Sequence, residues 1–168
     1  MSITRLFETG FAAIAGCLMI LGLAAKAEAI ERLPKNTVPL TADEVRRLYA
    51  DKTWQWSAGA GRFIAKDRRF IAYSEEGGKP TIAEGRWEVT DHGRLCMNAV
   101  WSTPQDKARN RTCFRLVRDR GTVYQRREPK GNWFVLRSFK PRPEDEAHKL
   151  VAQDTVSPNI ERLKPGMK

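Results

Sequence analysis

Histidine and cysteine are scarce in this chain, with two of the first and three of the second among 168 residues. Protein-held zinc draws mainly on those two residue types, so too few ligands are present for a closed structural site. No Gly-x-Ser-x-Gly elbow, His-Glu-x-x-His helix or phosphate-cradling glycine loop is present, which removes the signatures of common hydrolases, metalloproteases and nucleotide enzymes. His92 falls in an expected turn and His148 near the C-terminus, both expected in solvent. Glu75-Glu76 and Glu144-Asp145-Glu146 are neighbours on loops, whereas a glycoside hydrolase needs two carboxylates held across a cleft. The sequence therefore names no catalytic residue, no cofactor and no metal ligand. It also holds no internal repeat.

A long apolar run is missing too, except near the start. Phe11 to Ala25 is uninterruptedly apolar or small, Arg5 precedes it, and Ala27-Glu28-Ala29 offers a small-x-small cleavage site before Ile30. The run falls short of the roughly 20 residues of a spanning helix, so residues 1–29 are expected to be a secretory signal peptide cut between Ala29 and Ile30. Lipidation at Cys17 ranks second, because Ile14-Ala15-Gly16-Cys17 resembles a lipobox but the apolar run continues past the cysteine. The expected location is the periplasm or exterior of a Gram-negative bacterium, with no transmembrane span in the mature chain.

Acidic residues are in deficit: 20 against 30 lysines and arginines, a formal net charge of +10. Such a balance favours anionic partners, and export makes nucleic acid an unsuitable one.

What is present is strand code. Thr41-Ala42-Asp43-Glu44 is a capping box that starts a short helix, with Val45, Leu48 and Tyr49 on one stripe. From Thr53 onward, short alternating apolar segments are separated by turns rich in glycine, proline and aspartate. The expected fold is mainly β, an antiparallel meander closing into a small up-and-down barrel or half-barrel, which leaves fewest exposed edges. A two-layer β-sandwich is the alternative. Residues 30–40 read as an extended lead-in, 41–140 as a single β-rich domain, and 141–168 as a polar, partly mobile tail.

The centre of this pattern is a pair of strands. In Arg94 to Trp101, Leu95, Met97, Ala99 and Trp101 share one face, and Arg94, Cys96, Asn98 and Val100 share the other. In Thr112 to Val117, Phe114 and Leu116 oppose Cys113, Arg115 and Val117, while Ser102 to Asn110 reads as a polar surface loop. A Cys96–Cys113 disulfide across the two strands satisfies both alternations and the even cysteine count left after signal removal. It would draw Arg94, Asn98, Arg111 and Arg115 onto one surface, with Lys107 and Arg109 at its rim. That set is the candidate anion-binding patch, since the guanidinium fork suits carboxylate and phosphate.

The short helix, Thr53-Trp54-Gln55-Trp56, Gly85-Arg86-Trp87-Glu88-Val89, Gly93-Arg94-Leu95-Cys96 and the second cysteine after a polar loop together resemble a family of small secreted bacterial proteins, domain of unknown function 995. The likeness runs from about Thr41 to Leu136. It implies a single-domain envelope protein and carries no activity.

Three functions follow as expectations. The first is a non-catalytic envelope protein whose basic surface binds an acidic polysaccharide, lipopolysaccharide or anionic lipid. The second is a lipocalin-like barrel around a small apolar ligand, for which Trp54 and Trp56 would line the interior. The third is a hydrolase of envelope polymers.

Overall fold

The computed structural model describes residues 29–30 and 32–168. The expected leader and Cys17 lie outside the described residues, and the expected cleavage point falls on strand β1 (Ala29–Ile30). Among the described residues no helix is long and apolar enough to cross a membrane.

Helix α1 (Ala42–Tyr49) begins where its capping box sits. Thr41 Oγ1 accepts from the Glu44 amide at 3.2 Å and Glu44 Oε2 accepts from the Thr41 amide at 2.8 Å, so two otherwise orphaned donors are satisfied, for about 1 kcal/mol. The Thr41 hydrogen bond also holds the Glu44 carboxyl below its ordinary range. The helix is short and depends on packing: Val45, Leu48 and Tyr49 are buried in the main core, roughly 1.5–3 kcal/mol each. The buried Tyr49 hydroxyl donates to Gln125, and burial pushes its pKa up.

After β2 (Val38–Pro39) and α1 come eight longer strands: β3 (Lys52–Trp56), β4 (Gly59–Ile64), β5 (Arg69–Ser74), β6 (Thr81–Thr90), β7 (Arg94–Ser102), β8 (Lys107–Asp119), β9 (Thr122–Arg127) and β10 (Trp133–Arg137). Each pairs antiparallel with its neighbour in sequence, giving a meander that β1 extends beyond β10 and the two-residue β11 (Leu150–Val151) beyond β3. One sheet curls into a half-barrel, and the sandwich alternative is not formed. The curl has a compositional cause. Gly61, Ala72 and Ala83 are cross-strand neighbours on the concave face, as are Gly85 and Ala99, so the middle of the sheet presents little bulk there. At Gly85 a side chain would not fit at all, because a Cβ would lie 2.1 Å from the Asn98 carbonyl oxygen.

Two expectations from sequence are corrected. Lys107 to Asn110 is not loop: β8 begins at Lys107, and the turn shrinks to Thr103–Asp106, where the Thr103 hydroxyl accepts from the Gln105 and Asp106 amides. These residues look irregular because a single small alanine among charged and polar side chains makes no apolar alternation, yet register with β7 carries them as strand. The tail is likewise no loose appendage. A 3-10 turn at Glu146–Lys149 packs against both β3 and β10, bridging the open seam. Helix α2 (Ser157–Leu163) then lays Val156 and Ile160 over Ala60, Ile71 and Ile82 on the convex face. Two apolar residues in a polar segment are too sparse a signal to find by periodicity, but those three convex-face side chains need a cover. Arg162 to Glu75 at 2.7 Å and Lys164 to Glu84 at 3.0 Å secure it.

Candidate functional site

Curling divides the sheet into two chemically different surfaces. On the concave side, α1 and the aromatic set of Tyr49, Phe63, Phe70 and Trp87 fill one end. Toward the other end the small residues leave a cavity of about 370 Å³, walled by Trp54, Trp56, Phe63, Phe70, Met97, Ala99, Trp101 and Phe114. Gly61, Asn110, Thr112, Arg127 and Glu146 complete its lining. Trp54 stands edge-on to Phe114 at 5.1 Å, and its indole N–H donates to Glu146 Oε1 at 3.2 Å. Glu146 is also paired with Lys149 at 2.7 Å, so its charge is already compensated.

Trp54 and Trp56 share the concave face, as alternation requires, but Trp56 stands at the mouth and keeps 38% exposure. Arg62 and Arg86 point to the opposite face, so neither flanks Trp56 to hold a sugar ring stacked on it. One carboxylate, Glu146, lines the cup among the described residues, where glycoside hydrolysis needs two.

On the convex side Cys96 and Cys113 are direct register partners and form a disulfide, with Cα atoms 4.1 Å apart. All six candidate anion-binding residues share that face: Arg94 opposite Arg115, Asn98 opposite Arg111, Arg109 opposite Val100, and Lys107 opposite Ser102. Lys107 and Arg109 belong to the strand itself, not to a loop at its rim. Several of the six already have internal partners. Glu128 accepts from Arg94 at 2.6 Å and from Arg115 at 2.9 Å, and Glu88 pairs with Arg111 at 2.6 Å and receives the Asn98 amide at 3.4 Å. Sequence reasoning missed Arg126, which lies opposite Arg115 and stacks 4.9 Å from the Trp133 ring centre. It also missed the two glutamates. Alternation in Thr122 to Arg127 hints at Arg126, but only register shows which row it joins.

Burial of the Glu128 carboxylate works to raise its pKa, and hydrogen bonds and charge from Arg115 and Arg94 outweigh that, holding it below the usual carboxylate range. Asp145 behaves alike: burial works upward, and donors from Ser138 and Arg142 prevail. A carboxylate with a depressed folded-state pKa contributes stability that is complete above the unfolded value, near 4, and is lost as pH falls through the folded value. The thermal midpoint should therefore be level between about pH 5 and 7 and fall below about pH 4. Glu128→Gln should lower it at pH 7 and converge with the parent near pH 2; parallel curves across that range would contradict the assignment.

Comparison with curated proteins and with solved structures gives no match. A family model described as "Protein of unknown function (DUF995)" matches residues 17–156. Matched over most of its length, this half-barrel chain belongs to the DUF995 family.

Proposed function

We propose that the protein is an exported, non-enzymatic binding protein of the bacterial periplasm or exterior that holds a small apolar ligand in the open end of its half-barrel. The carrying observation is the aromatic cavity of about 370 Å³, within the range that small-ligand sites occupy and lined mostly by apolar side chains. A cup that served only as core would be expected to close on itself, since interiors pack to crystal-like density. Export belongs to this reading because the apolar leader and the disulfide both suit an oxidising compartment.

Trp54, Trp56 and Trp101 line the cup, so occupancy should be visible in tryptophan emission. Titrating the purified protein with the neutral fluorophore N-phenyl-1-naphthylamine should give saturable, one-to-one binding with energy transfer from those indoles, at a dissociation constant on the order of micromolar. Linear, non-saturating fluorescence would refute the reading.

A further inference from the structure

The register of the sheet sets like charges face to face. Arg94 lies opposite Arg115 and Arg115 opposite Arg126, so three arginines form one row across β7, β8 and β9. Arg69 lies opposite Arg86, which in turn neighbours Asn98 and then Arg111 in a second row. Adjacent strands are only about 4.8 Å apart, and directly opposed like charges cost a sheet stability. Glu128 offsets part of that cost for Arg94 and Arg115, but Arg69 and Arg86 have no carboxylate between them among the described residues.

Carboxylates on this face are few and engaged: Glu128 by two arginines, Glu88 by Arg111, and Glu84 by Lys164. Arg69, Arg86, Lys107 and Arg109 are exposed and have no carboxylate partner among the described residues. Between Arg94, Arg111 and Arg126 a depression of about 450 Å³, lined also by Glu128 and Pro129, opens over Cys113, and Arg126 Nε is buried with no acceptor among the described residues. Helix α2 covers the convex face over β4 to β6, and the residues after it reach only the Val100, Ser102 and Lys107 end of β7 and β8, leaving the rest of this half open.

We infer that the convex face of β6 to β9 docks an acidic polysaccharide, whose repeating carboxylates take the guanidinium groups that Glu128 and Glu88 leave free. This surface is distinct from the ligand cup and does not depend on it. Glu128 demonstrates the geometry, its carboxylate being held by two opposed arginines at 2.6 and 2.9 Å. A polymer fits better than a membrane. The large exposed apolar residues, Val38, Trp56 and Phe139, lie on other parts of the molecule, so this face offers no wedge to enter a bilayer, while a rigid sheet presents cations at fixed intervals.

The test is binding of the purified protein to polygalacturonate, with neutral dextran and phosphatidylglycerol vesicles as parallel arms. Binding to polygalacturonate alone, weakening steeply between about 0.02 and 0.2 M salt, is expected. Arg86→Gln/Arg109→Gln should weaken it by roughly tenfold or more while leaving the thermal midpoint unchanged or raised, because one like-charge opposition disappears. Arg47→Gln/Lys79→Gln removes equal charge elsewhere and should change affinity less than about twofold. The inference is overturned by absence of binding at low salt, by equal losses in the two double variants, by a salt-independent affinity, or by vesicles binding where the polymer does not.

Discussion

Ala99→Phe is expected to weaken binding of the neutral probe by about tenfold or more in a protein that stays folded. Ala99 is buried on the concave face of β7, beside Gly85 of β6 and Asn110 of β8, and forms part of the cup wall. Because Ala99 faces the open cup, a benzyl group at 99 projects into the space that the ligand would use. Filling an apolar void commonly stabilises, so the thermal midpoint should hold or rise even as affinity falls. Val100→Phe places the same group on the convex face and should leave probe binding untouched. Equal affinity for the folded Ala99→Phe variant and the parent would remove the cup from consideration.

Cys96→Ala/Cys113→Ala is expected to lower unfolding free energy by about 3 kcal/mol, the chain-entropy value for a loop of this length. The sequence separation is 17 residues. Position adds a second component. The bridge sits between Arg94 opposite Arg115 on one side and Asn98 opposite Arg111 on the other, so it clamps β7 to β8 beside the row of Arg94, Arg115 and Arg126, where the single Glu128 carboxylate leaves a residual positive charge that pushes the strands apart. Screening weakens that push, so the loss should be larger at about 0.02 M salt than at about 0.5 M. Urea is the suitable denaturant because it is uncharged. A loss that is the same at both salt concentrations would show that the arginine rows do not load the bridge.

Much of the scaffold was legible because it rests on local rules. The Thr41 capping box and the stripe of Val45, Leu48 and Tyr49 specify α1 through hydrogen bonds and spacing within a few residues. Leu95, Met97 and Ala99, alternating with Cys96 and Asn98, show which face of β7 is buried. The Cys96–Cys113 pairing was legible for the same reason, since the two alternations put both cysteines on one face of neighbouring strands. The cup was legible only in outline, through the expectation that Trp54 and Trp56 line an interior. Its walls come from β3, β4, β5, β7, β8 and β9 and its space from Gly61 and Ala99, whose smallness carries no meaning until the strands beside them are known. The arginine patch was half legible: alternation puts Arg94, Arg111 and Arg115 on one face, but their carboxylate partners, Glu128 and Glu88, come from strand neighbours that no local pattern reveals.

By itself the sequence determined the strand periods, the helix start, the bridging cysteines and the excess of positive charge, because each depends on residue type and on spacing of a few positions. Tertiary structure alone decided that the sheet stops short of closure, that the last segment covers its convex side, and that like-charged rows and an open aromatic cup lie back to back. Those outcomes depend on register summed over eight strands, where every side chain meets neighbours far away along the chain.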